Sequence, residues 1–239
     1  MALDLALAMV AAFCTALLSS IAGFGGATLL LPVFIWLFGA RDAVAILTVA
    51  QLVSNGSRVW FNREAVVVPV VRWFAVGAVP AAVVGGLVFA TAPLEALTRV
   101  IGASLLVLVL WRRVRPATLR PSLRGFAGVG AVSGFGSALV GSLGPLTAPF
   151  FLAYGLAKRP YIGTEACAAL VMHLTKLVVY GSAAVLATSS IGVGLALAPA
   201  TAAGAWVGSH VLDRMPTRLF LVLVEVGLIS AGVLLLWKG

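Results

Sequence analysis

Long apolar runs separated by short polar or glycine-rich breaks make up most of this chain, at about 3 to 22, 27 to 38, 43 to 61, 67 to 90 and 94 to 111. After an arginine-rich stretch from Arg112 to Arg124 the pattern returns at about 125 to 140, 144 to 156, 161 to 186, 191 to 212 and 217 to 237. Runs of roughly 20 apolar residues without period-two alternation predict helices that cross a ~30 Å hydrocarbon core, not membrane strands. Two runs are too short for that. At 1.5 Å per residue, 27 to 38 and 144 to 156 reach only about 18 Å, so they read as half-helices that stop near the midplane.

The second half repeats the layout of the first. Pro32-Val33-Phe34 matches Pro149-Phe150-Phe151, Asn55 and Arg58 fall opposite His173 and Lys176, and Gly85, Pro93 and Trp111 correspond to Gly208, Pro216 and Trp237. Residues 1–115 are therefore read as a first repeat, a broken helical hairpin plus three transmembrane helices, and 125–239 as a second, joined by an Arg-rich linker at 116–124. The predicted fold class is an all-α integral membrane protein of two inverted repeats, with about eight full transmembrane helices plus two re-entrant or half-helix segments.

Lys and Arg decide between parallel and inverted halves, because they stay on the cytoplasmic side of short loops. The central loop with Arg112, Arg113, Arg115, Arg120 and Arg124 is cytoplasmic on this rule. If each half makes five passes through a bent hairpin, Arg63, Arg72, Lys158, Arg159, Arg214 and Arg218 also lie inside, and only Lys238 falls on the wrong side. Both termini are then periplasmic or extracellular.

Composition agrees with the class: 62% hydrophobic residues, 10% charged residues and a mean hydropathy of +1.15 lie outside the soluble range. The net charge of +9 comes mainly from loop arginines beside apolar runs, so it reads as a topology signal and nucleic acid is not an expected partner. Cys14 and Cys167 lie in apolar runs without a Cys-x-x-Cys partner and read as packing residues. The stretch from Met1 to Gly23 has Asp4 but no Lys or Arg, so it lacks the charged n-region of a signal peptide and reads as a retained first helix.

The chemistry gathers at the breaks. Gly23-Phe24-Gly25-Gly26 and Gly134-Phe135-Gly136-Ser137 interrupt apolar runs, and unwound backbone is tolerated in lipid only where it is buried in protein or faces water. A half-helix starting after such a break presents unpaired amides and the positive end of its dipole, which attracts an anion. In the second half the turn continues through Gly141-Ser142-Leu143-Gly144-Pro145, so Ser137, Ser142 and Thr147 add hydroxyls. Phe24 and Phe135 are placed to gate or shield the site.

Polar residues inside long spans form a second signal, since charge in hydrocarbon normally faces a cavity or a partner. His173 and Lys176 share a face of the 161 to 186 run, with Glu165 two turns earlier, and Gln51, Ser54, Asn55 and Arg58 form the matching stripe. The expected substrate-binding set is Gly23, Phe24, Gly25, Gly26, Asn55, Gly134, Phe135, Gly136, Ser137, Ser142, His173 and Lys176, with Glu165 and His173 as coupling candidates. Glu165 is placed either to balance Lys176 or to carry a proton. Arg58 either joins the stripe or snorkels to the interface, Glu225 is a candidate for a subunit contact, and His210 reads as interfacial.

No nucleophile elbow, nucleotide-binding loop or metal-ligand spacing is present, so the expectation is no enzyme, no cofactor and no metal. A secondary transporter or channel for small anions is left, against a non-catalytic scaffold or receptor subunit. Homodimerisation stays open.

Ala22-Gly23-Phe24-Gly25-Gly26 with Pro32, then Ser133-Gly134-Phe135-Gly136 with Gly144-Pro145 to Pro149, resemble the sulfite exporter TauE/SafE family over nearly the whole chain. The resemblance implies a multi-pass protein of the bacterial inner membrane that moves sulfite, sulfonates such as sulfoacetate, or other sulfur-containing anions, with export as the expected direction. The second repeat departs from the family's commoner Gly-x-Gly-Gly-Gly form, with Ser137 and a longer stretch before Gly144.

Overall fold

The computed structural model describes residues 2–22, 26–114, 120–141, 144–156 and 159–211, together with 229, 233 and 237. Helices account for nearly all of it: α1 (Ala2–Ala22), α2 (Gly26–Phe38), α3 (Ala40–Asn62), α4 (Val68–Thr91) and α5 (Leu94–Val114) come before the central loop. After it come α6 (Phe126–Val140), α7 (Gly144–Ala153), α8 (Arg159–Ser182), α9 (Thr188–Ala196) and α10 (Ala198–Val211). No strand occurs among the described residues. These bounds follow the apolar runs closely, except that the run from 191 divides at Leu197 into α9 and α10. The expected last helix, 217 to 237, lies almost wholly outside the described residues.

Helix ends sit where local chemistry stops a helix. Gly39 takes φ +80°, donates to the Ile35 carbonyl at 3.0 Å to close α2, and accepts from Ala43 at 2.9 Å to open α3. α4 starts with a proline in its first turn, where a missing N–H costs nothing and φ is already helical.

Among the described residues, four stretches are long and apolar enough to cross a bilayer: Leu3–Ser20, Val68–Thr91, Arg159–Ser182 and Thr188–Gly208. At 13 and 10 residues, α2 and α7 extend only about 20 and 15 Å. Both are half-helices by length.

The broadest helix contacts are α4 on α6 and α1 on α10, with α3 and α8 paired at the centre. Both outer pairs approach through glycine. A Cβ at Gly77 would lie 1.8 Å from the Ala127 carbonyl oxygen, at Gly130 2.0 Å from that of Phe74, and at Gly134 2.3 Å from that of Ala78. On the other pair, a Cβ at Gly204 or Gly208 would meet the carbonyl oxygens of Phe13 at 2.3 Å or Leu17 at 2.5 Å. Lipid tails are as apolar as leucine, so close backbone approach and dispersion contact replace the hydrophobic effect as the force joining these helices.

Burial is inverted relative to a water-soluble protein. Val10, Val76, Val84, Val107, Val132 and Val178 face outward, whereas Gln51, Ser54, Asn55, Arg58, Glu165, His173 and Lys176 are buried. The apolar core that surrounds them is built from Phe34, Ile46, Leu47, Phe89 and Tyr180 on one side and Phe74, Phe126, Phe151 and Tyr161 on the other. A polar interior enclosed in this way needs a reason, because each buried polar group must find a partner.

Candidate functional site

That reason is a small cavity between α3 and α8 at the mouths of the two half-helices. It is lined by Ser19, Gly26, Ala27, Gln51, Asn55, Arg58, Ser137, Gly144, Glu165, Ala169, Met172 and His173. About 30 Å³ is open to the centre of a water-sized particle, room for one or two such particles. Gly26 and Gly144 are the first residues of α2 and α7, so the amino ends of both half-helices abut the cavity. The first four amides of a helix have no intrahelical acceptor, and with the dipole they make these ends favourable for negative charge.

One wall is a hydrogen-bonded string. The Asn55 amide nitrogen donates to the Gln51 carbonyl at 2.9 Å and its side-chain oxygen at 3.3 Å, and the Asn55 oxygen accepts from Arg58 Nη1 at 3.0 Å. Arg58 Nη2 then pairs with Glu165 Oε2 at 2.7 Å, joining α3 to α8. Arg58 therefore belongs to the buried stripe and does not snorkel, and the partner of Glu165 is Arg58 where a pairing with Lys176 was one expectation.

Lys176 has a different environment. It is 0% exposed, and its Nζ donates to the Ser137 carbonyl at 3.3 Å, the Ser137 hydroxyl at 3.1 Å and the Gly141 carbonyl at 2.8 Å. Three donors is what an ammonium carries. Tyr180, one turn further along α8, donates to the Ala138 carbonyl. Together these side chains satisfy the carboxyl end of α6, whose last carbonyls have no intrahelical donor and in lipid no water to turn to. Lys176 is thus adjacent to the cavity, holding the wall that contains Ser137.

His173 faces the space directly. It is 3% exposed, and its Nδ1 has no hydrogen-bond partner, an exception that a ligand in the cavity would resolve.

The second glycine cluster is not where the chain breaks. α6 runs unbroken through Gly134, Phe135, Gly136 and Ser137, and the interruption falls at Gly141, with φ +83°, before Gly144. The amides of Gly136 and Ser137 are spent inside the helix and are not available to an anion, a correction to the expectation. Gly134 is small because α4 touches it, and Phe135 is 40% exposed on the outer surface, away from the cavity. In hydrocarbon no water competes for helical amides, so a glycine pair alone does not unwind a helix. Phe135→Leu is accordingly expected to leave anion transport within twofold of wild type, measured as initial flux in proteoliposomes; a tenfold loss would restore a gating role.

Of the expected set, Gly26, Asn55, Ser137 and His173 line the cavity and Lys176 supports it. Gly23, Phe24, Gly25 and Ser142 lie outside the described residues, as does Glu225. His210 is exposed, its Nδ1 2.8 Å from the Trp206 carbonyl and its ring tilted against that of Trp206, and it is not among the cavity residues. Ser19 and Gly144 were absent from the expected set. Their signal was available: Ser19 and Ser137, Gly26 and Gly144, Gln51 and Ala169, and Asn55 and His173 are four lining pairs, each 118 residues apart. No cluster of three or more His, Cys, Asp or Glu occurs among the described residues.

Apolar helices of spanning length around a buried polar cavity at two half-helix ends are those of a helical membrane protein. The family model for the sulfite exporter TauE/SafE matches residues 8–235 of the 239, and the chain belongs to that family. It is a family of transporters for sulfur anions, not of enzymes. No curated protein and no solved structure matches the chain.

Proposed function

We propose that this protein is a secondary transporter of a small sulfur oxyanion, sulfite first, by alternating access about the cavity between α3 and α8. The observation that carries the reading is the convergence of two half-helix amino ends, Asn55, Ser137 and His173, whose Nδ1 has no partner, on one small cavity. The small volume favours sulfite over sulfoacetate, whose extra carboxymethyl group would require the walls to part. Export is the direction in the family's description.

The four lining pairs at one sequence offset support two repeats, 1–115 and 125–239, related about the cavity. The exchange of partners fits as well, since α4 of one half packs on α6 and α10 of the other packs on α1. Arg63 and Arg159 line one cleft, and Arg124 stacks over Trp73 beside the start of α4, so these charges share one end of the molecule. The positive-inside rule makes that end cytoplasmic, in a bacterial inner membrane, with the termini opposite.

The test is counterflow of labelled sulfite in proteoliposomes. Wild type is expected to saturate, and His173→Ala to raise the half-saturating concentration about tenfold, since a hydrogen bond to a charged group contributes ~1.5–3 kcal/mol. Flux that rises linearly with concentration would identify a channel. No flux for sulfite, sulfate, thiosulfate or sulfoacetate would overturn the transporter.

A further inference from the structure

We propose that Glu165 is a tethered stand-in for the transported anion: its carboxylate occupies Arg58 and closes the cytoplasmic end of the cavity until an incoming oxyanion takes over the guanidinium. The inference rests on the transporter reading above and assigns how its site is gated.

The placement of the pair comes first. Along α3 the cavity residues are Gln51, Asn55 and Arg58, and the next residues, Trp60, Phe61 and Asn62, line a separate open cleft with Arg63, Glu64, Ala65 and Arg159. Along α8 the order is mirrored, from Arg159 in the cleft to Glu165, Ala169 and His173 in the cavity. Near this end α8 is also tied to the residue that precedes α4, through Val67 N–H donating to Thr164 Oγ1 at 2.9 Å. The Arg58–Glu165 contact at 2.7 Å is thus the last polar contact of the cavity before the cleft. The cleft, of about 350 Å³, carries Arg63 and Arg159 where an anion would arrive.

Chemistry makes the pair exchangeable. A guanidinium presents a planar fork of donors that accepts a carboxylate or an oxyanion in the same geometry. Glu165 and a sulfite oxygen therefore compete for one group. Arg58 is held on its other side by Asn55, so it stays in place when its carboxylate partner is displaced.

The second half closes its own side differently. At the same offset of 118, Arg58 corresponds to Lys176 and Glu165 to Leu47. Lys176 is bound by two carbonyls and a hydroxyl, none of which carries a charge that an anion could replace. One end of the cavity thus has an ionic latch that anions compete with, and the other has a neutral cap.

Sulfite counterflow and sulfite-dependent thermal shift of the purified full chain test this in wild type, Glu165→Gln and Glu165→Asp. Removing the competitor is expected to lower the half-saturating sulfite concentration about tenfold in Glu165→Gln, the scale of one charge-assisted bond. Glu165→Asp, which retracts the charge by one methylene, is expected to shift the same way by less. An ion pair that merely ties α3 to α8 would lower stability and leave half-saturation unchanged or raised, and that result overturns the inference. Where Glu165→Gln does not fold, Glu165→Asp decides by the same criterion. Wild type with neither flux nor shift would instead sink the transporter reading, which keeps the two failures apart.

Discussion

Gly77→Ala and Gly130→Ala are expected to separate α4 from α6 and cost the protein much of its stability. The added Cβ would sit 1.8 Å from the Ala127 oxygen or 2.0 Å from the Phe74 oxygen. Both obstacles are backbone atoms of a helix, so no rotamer change relieves the overlap and the two helices must move apart along their length. Overpacking typically costs about 1–3 kcal/mol, occasionally more, and these sites belong at the upper end. At ~2–4 °C per kcal/mol for a chain of this size, the apparent melting temperature in detergent should fall by roughly 6–12 °C. Gly128 supplies the control, because a Cβ there meets nothing within 4 Å. Gly128→Ala should stay within about 0.5 kcal/mol of wild type. Equal melting temperatures for Gly77→Ala and Gly128→Ala would contradict the packing account of this interface.

Lys176→Met is expected to lower stability and transport together. Methionine is one atom shorter than lysine and donates nothing, so the Ser137 oxygens at the end of α6 lose the lysine donor and the Gly141 carbonyl keeps only the Ser137 hydroxyl at 3.3 Å. Each buried unsatisfied group costs about 1–3 kcal/mol, and the wall that positions Ser137 loses its anchor. Arginine is no remedy. Its planar fork is larger than an ammonium and spreads its donors, whereas these three oxygens converge on one nitrogen. Lys176→Met should therefore melt well below wild type and show little sulfite counterflow, while His173→Ala should lose affinity with a near-normal melting temperature. Wild-type stability in Lys176→Met would mean that the oxygens find other donors and that the cap is dispensable.

These two cases also show where the sequence was readable. Helix positions were legible because a membrane span needs both length and apolarity, and α1, α4 and α8 begin or end within a few residues of the apolar runs. The polar stripe was legible for the converse reason: Asn55, His173 and Lys176 have no place on a lipid-facing surface, so they had to face inward, whereas the burial of Arg58 came only from the structure. The glycines were ambiguous. Gly134 and Gly141 are the same residue type in similar apolar surroundings, yet one admits the α4 backbone and the other turns the chain. Matching the Gly134 cluster to the Gly23 cluster put those two stretches about two helical turns out of register with Asn55 and His173, and Ser19, which lies at the register of Ser137, was left out.

By itself the sequence determined that this chain lives in a bilayer, which runs become helices, which of those are too short to cross, and which polar residues must point inward. All four follow from one-dimensional quantities: length at a fixed rise per residue, and the cost of placing each side chain in hydrocarbon. The tertiary structure decided the partners. That Arg58 pairs with Glu165 107 residues away, that Lys176 caps α6, and that Gly26 and Gly144 open onto one cavity depends on how helices distant in sequence approach one another. That approach is set by backbone contacts at glycines, whose effect no single stretch of sequence contains.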